Sequence, residues 1–127
     1  MAVRPSFTAG QVFTAAQANT LANSLVALNA QTGTTYTLAL TDVGKLITIS
    51  NGSAITLTVP LNASAAFAVG DQINVAQLGA GVITFSPTSG VTIRSQGSKL
   101  KTNGQYAIAT IVKIDTDEWL LLGNLVA

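Results

Sequence analysis

Asp42–Pro60, DVGKLITISNGSAITLTVP, is the stretch on which the fold turns. Ile47 and Ile49 alternate with Thr48 and Ser50. After Asn51-Gly52-Ser53-Ala54, the residues Ile55, Leu57 and Val59 alternate with Thr56 and Thr58. A period of two gives each strand one apolar and one polar face. Asn-Gly is the dipeptide best able to take positive φ in a tight turn, so the stretch predicts a hairpin. Pro60 has no N–H to give to a ladder and ends the second strand.

The same alternation extends outward. It predicts strands at Thr35–Leu40, Gln72–Leu78, Val82–Ser86, Val91–Ser95, Gln105–Ile114 and Glu118–Leu122, with Gly, Pro, Asn and Asp between them. Leu61–Val69 reads as an irregular crossing anchored by Phe67, and Gln96–Asn103 as a polar loop. No helices alternate with the strands to support parallel βαβ units, and no internal repeat of fixed period is visible. The expected fold is therefore all-β: an antiparallel β-sandwich or jelly-roll-like domain of about eight strands over residues 34–127, preceded by a short α-helix.

Residues 1–33 read as a distinct N-terminal element. Met1–Thr14 is an extended lead, kept out of helix by Arg4-Pro5. Phe7, Val12 and Phe13 are apolar in a segment too short to bury them, and are the expected docking residues. Thr14-Ala-Ala-Gln17 has the form of a capping box that starts a helix running to about Asn29, ended by Gln31-Thr32-Gly33. Ala18, Leu21, Leu25 and Leu28 fall three, four and three apart along it, which is a narrow a/d seam. Two readings stand: a bundling or anchoring helix between subunits, or a helix capping the β domain of its own subunit.

Composition narrows the function. Charged residues make up 9% of the 127-residue chain, against about 25% in an ordinary soluble domain. The polar surface must come from Thr, Ser, Asn and Gln. Such a surface repels copies of itself weakly, which suits an oligomer or a crowded array. The net charge is +1 and the densest basic pair is Lys99 and Lys101, so the electrostatic footprint of nucleic-acid binding is missing. There is no apolar run long enough for a membrane span and no signal-peptide pattern. Release from a cell would then be by lysis.

His and Cys are absent, which removes Ser-His and Cys-His nucleophile pairs and most transition-metal sites. Asp115, Asp117 and Glu118 lie in one acidic turn without EF-hand spacing and read as a solvated hairpin. Gly79-Ala80-Gly81 opens no helix and is not a phosphate loop. Trp119 alternates with Leu121 and reads as core or a subunit seam, with an exposed sugar platform as the other option. No catalytic residue, cofactor site or metal site is expected.

Two stretches carry a resemblance. In Phe7-Thr-Ala-Gly-Gln-Val-Phe-Thr-Ala-Ala-Gln-Ala-Asn19, the residues Phe7, Ala9, Gly10, Val12, Thr14, Ala15, Ala16 and Asn19 resemble the N-terminal segment of many small virion proteins of tailed bacteriophages. Tyr36, Asp42-Val43-Gly44-Lys45, Thr58-Val59-Pro60, Val69-Gly70 and Trp119-Leu-Leu-Leu-Gly123 together look like a β module of phage tail-fibre, minor tail and head-decoration proteins. The resemblance implies a non-enzymatic virion protein, a homotrimer attached through its N-terminal segment to major capsid or tail proteins, made in the host cytoplasm and displayed on the virion surface. The long shaft of many tail fibres is missing, which favours a decoration or cement protein or a small tail-associated subunit. The alternative is a receptor- or carbohydrate-binding tail-fibre module that meets a host-surface glycan through loops near Asn62–Ser64 and Gln96–Asn103.

Overall fold

The structure, a computed structural model, describes residues 27–127 together with Ala15. It is mostly β. Eleven strands are β1 (Leu28–Gln31), β2 (Thr35–Thr37), β3 (Leu46–Ile49), β4 (Ile55–Val59), β5 (Gln72–Gln77), β6 (Ile83–Pro87), β7 (Thr92–Ser95), β8 (Lys101–Thr102), β9 (Ile108–Asp115), β10 (Glu118–Gly123) and β11 (Leu125–Val126). They form a six-stranded sheet in the order β1-β3-β5-β9-β10-β7 and a five-stranded sheet in the order β11-β8-β6-β4-β2. All eight strands expected from the alternation are present, and β4 ends at Val59 ahead of Pro60.

Their pairing differs from the antiparallel expectation. Both sheets are mixed, and β1–β3, β3–β5, β2–β4, β4–β6 and β7–β10 are parallel. From β1 to β6 each successive strand switches sheet, so the chain winds through three stacked coils. A parallel pair needs a crossover of a dozen or more residues, usually a helix. Here the crossover contains a strand of the opposite sheet, which is why parallel pairing occurs without helices. The coils are unequal: Leu28 pairs with Leu46, 18 residues on, and Leu46 with Asn74, 28 residues on. Unequal coils leave no fixed period in the sequence.

The hairpin expected at Asp42–Pro60 is the central correction. β3 and β4 are both present, but they lie in different sheets and do not pair. Ser50–Ala54 is a corner that carries the chain from one sheet to the other. It stacks between two equivalent corners. Asn51 Nδ2 donates to Thr32 O at 2.8 Å on one side, and Gly81 N donates to Asn51 O at 2.8 Å on the other. Asn51 Oδ1 also accepts from Ser53 N at 2.8 Å, which holds the corner's shape. The Asn therefore serves as a rung between coils, a role that looks identical to a hairpin turn in the sequence.

The N-terminal helix needs a second correction at its end. Its predicted span up to residue 26 lies, apart from Ala15, outside the described residues. Leu28–Gln31, assigned to its last turn and cap, is strand β1, paired with β3 upstream of the boundary drawn between residues 33 and 34. Leu28-Asn29-Ala30-Gln31 alternates as well as it spaces for a helix, and pairing with β3 completes a ladder. Gln31-Thr32-Gly33 leads into the first corner.

One core fills the space between the sheets. Ile47, Ile49, Ile73, Val75, Ile111, Trp119 and Leu121 from one sheet meet Ile55, Leu57, Val59, Ile83 and Phe85 from the other. Phe67, from the Leu61–Val69 crossing, stands edge-on to Trp119 with ring centroids 5.2 Å apart and planes at 78°, a geometry worth about 0.5–1.5 kcal/mol beyond burial. No buried side-chain nitrogen or oxygen among the described residues lacks a partner.

Candidate assembly surface

The outer face of the six-stranded sheet exposes several large apolar side chains. Register aligns its outward residues in rows. Leu122, Thr110, Asn74, Leu46 and Leu28 cross five strands in line, and Ile108, Ala76, Thr48 and Ala30 form the neighbouring row. Arg94, Leu120, Val112 and Gln72 make the third row. Ile108 and Leu122 are each 49% exposed, Leu120 41% and Leu28 67%. Among the described strands, the charges on this face are Arg94 and Glu118, at the β7 edge, and they form an ion pair with each other. In the middle of the face Thr110 Oγ1 donates to Asn74 Oδ1 at 2.8 Å and Gln72 Nε2 to the same oxygen at 3.3 Å, so its polar groups are partly satisfied internally.

Strand and row spacings give the three rows a footprint on the order of 500 Å². Thr48, Gln72, Asn74, Arg94 and Thr110 interrupt its apolar residues, and the whole is smaller than the roughly 800 Å² that each partner buries in a standard interface.

Three polar clusters surround the core. In the first, Asp42 is buried and its carboxylate accepts from Asn29 Nδ2 at 2.8 Å, Tyr36 OH at 2.7 Å and Ala39 N at 2.9 Å. This ties β1 and β2, the edge strands of the two sheets, to the turn between β2 and β3. Burial first, and then the bond to and negative charge of Asp42, push the Tyr36 hydroxyl up to about 12, against a smaller lowering by Asn29. In the second, buried Lys113 donates to Asn62 Oδ1 at 2.6 Å and Phe67 O at 2.8 Å, with its ammonium 5.9 Å from the centre of the Trp119 ring. In the third, Thr102 Oγ1 donates to Gln77 Oε1 at 2.5 Å and accepts from Ile83 N at 2.9 Å, bridging the two sheets. Each cluster closes on itself and holds elements together.

The predicted site residues fall unevenly. Phe7, Val12, Phe13, Ala18, Leu21 and Leu25 lie outside the described residues. Leu28 is the first residue of β1 and stands at the end of the longest outward row. Trp119 is 1% exposed and belongs to the core, so no sugar can stack on it. The acidic turn is divided among separate tasks: Asp115 Oδ1 accepts from Thr116 N at 2.7 Å, Asp117 Oδ1 from Asn62 N at 2.6 Å, and Glu118 pairs with Arg94. Among the described residues no three His, Cys, Asp or Glu side chains come together at metal-binding distance. No motif marks the outer face in the sequence, because which side of each strand meets solvent depends on pairings that local alternation does not give. What signal there is lies in the alternate residues Ile108, Thr110, Val112 and Ile114, which carry no charge on a strand side that faces solvent.

Compared with known proteins, the chain matches no family model and no curated sequence.

Proposed function

We propose that this protein is a non-enzymatic structural component of a tailed-phage virion, a symmetric oligomer that decorates or cements the particle or serves as a small tail-associated subunit. The supporting observation is the outer face of the six-stranded sheet, where exposed Ile108, Leu120 and Leu122 share a surface whose charged side chains neutralise each other. A face of this kind is costly to leave in water and presents no like-charge repulsion to a second copy. The resemblance of residues 7–19 to phage virion proteins supplies the setting, and the low charge of the whole chain suits dense packing. Repetition of modest contacts around a symmetry axis then gives firm attachment without any single strong one.

The test is the solution mass of the full chain by sedimentation or light scattering. Oligomers are expected for the native protein, and Leu120→Glu with Leu122→Glu should shift it to monomer without loss of β-sheet signal, because both side chains already face solvent. A native chain that stays monomeric at high concentration and on purified particles would refute the reading.

A further inference from the structure

The row of stacked corners ends in the loop between β8 and β9, which Tyr106 N ties to Gln77 O at 2.6 Å. Ala107 N donates to Gly104 O at 3.1 Å, closing a turn over residues 104–107. Tyr106 occupies its third position with φ +68°. Turns with positive φ there normally take Gly or Asn. A bulky side chain in this conformation costs on the order of 1–2 kcal/mol. Tyr106 is 70% exposed, so side-chain packing does little to repay that cost.

What surrounds the ring is a shallow open depression of about 370 Å³ lined by Asn103, Gly104, Gln105, Tyr106, Ala107 and Asn124. No charged side chain lines it. Three side-chain amides do. Gln105 Nε2 donates to Leu78 O at 2.9 Å and Asn124 Oδ1 accepts from Ile108 N at 3.4 Å, which orients both amides. The opposite ends of those amides, and both ends of Asn103, have no partner among the described residues.

We propose that this depression binds a neutral saccharide unit, with the Tyr106 ring as platform and the amides of Asn103, Gln105 and Asn124 as partners for its hydroxyls. A sugar ring has an apolar C–H face and a rim of hydroxyls that both donate and accept. An exposed aromatic face bordered by neutral amides, which also donate and accept, complements both. An anionic ligand would find no cation in the lining. The site does not rest on the assembly reading; it shares Asn103 with the end of the Gln96–Asn103 loop and is separate from the Asn62–Ser64 loop and Trp119.

The turn conformation supplies a clean variant. Tyr106→Asn removes the ring while suiting the backbone, so the protein should keep or slightly raise its Tm. The probes are the methyl glycosides of glucose, galactose and N-acetylglucosamine, titrated into the full-length isotopically labelled chain while backbone amide shifts are followed. Saturable changes centred on residues 103–107 and 124 are expected with at least one probe, at a Kd in the roughly millimolar range typical of one open site with about 4 kcal/mol of binding. Tyr106→Asn should weaken them tenfold or more. The proposal is overturned if none of the three probes gives saturable shifts, if the shifts map elsewhere, or if the Tyr106→Asn protein binds as the native one does.

Discussion

Asp42 is one of two charged residues that the described fold takes inside, and three donors converge on its carboxylate. Removing it would leave Ala39 N and the Tyr36 hydroxyl proton without their acceptor, while Asn29 Nδ2 would keep its bond to Tyr36 OH at 2.7 Å. Asp42→Ala should therefore cost about 3 kcal/mol, read as a lower urea midpoint, and Asp42→Asn clearly less because one oxygen remains. The same cluster sets an alkaline limit. Tyr36 releases its proton near 10.0 in the unfolded chain but near 12 in the fold. Its contribution is thus complete below pH 10 and is lost as the pH rises through 10 to 12, where the unfolded chain ionises first. Tyr36→Phe should flatten the decline of unfolding free energy across that window; an unchanged slope would place the alkaline sensitivity elsewhere.

The corners are where sequence and structure part company. Strand positions were legible because alternation is local: eight were expected and all eight occur. Their partners were not legible, since a parallel partner lies 18 to 28 residues away and leaves no short-range mark. β8 and β11 have two residues each, too few to show a period. Asn51-Gly52 gave a hairpin signal, yet Gly52 has nothing within 4 Å of where a Cβ would stand and is not among the residues with positive φ. The necessary glycines are in the next corner. A Cβ on Gly79 would lie 2.5 Å from Asn51 O, and one on Gly81 would fall even closer to Ser53 O, so these positions let one corner rest on another. Gly81→Ala should cost more than about 3 kcal/mol or prevent folding, while Gly52→Ala should change stability by less than about 0.5 kcal/mol. Thermal unfolding of the two variants side by side checks the stacking directly. Tyr106 was hidden for a related reason: Gln105–Ile114 reads as one strand, and the turn signal of Asn103-Gly104 ahead of it was absorbed into the preceding loop.

For the molecule as a whole, β1 moves the line between the N-terminal segment and the β domain. Asn29 belongs to the Asp42 cluster and Leu28–Gln31 completes the edge of the six-stranded sheet. Deleting residues 1–26 should thus leave a cooperative β fold that no longer attaches to particles, whereas deleting 1–30 should also lower the melting temperature by several degrees, since it removes a strand and one donor to Asp42. Calorimetry on the two truncations, with particle co-sedimentation as the second readout, separates attachment from folding. If the chain lacking 1–26 still decorates particles, the docking role of Phe7, Val12 and Phe13 is wrong.

The switching of each early strand to the opposite sheet also bears on how the chain folds. Among the described strands, β9 and β10 are the only consecutive pair that bond to one another, through the short turn at Thr116-Asp117. Every other pairing must close a longer loop first, at an entropic cost that local contacts do not offset. β9 in turn is the partner of β5, the innermost strand of the coiled half. The coiled half, β1 to β6, therefore precedes in the chain the β9–β10 hairpin whose first strand pairs with β5. Truncation of the chain ahead of β9 would leave β5 without that partner and open one edge of the coiled half.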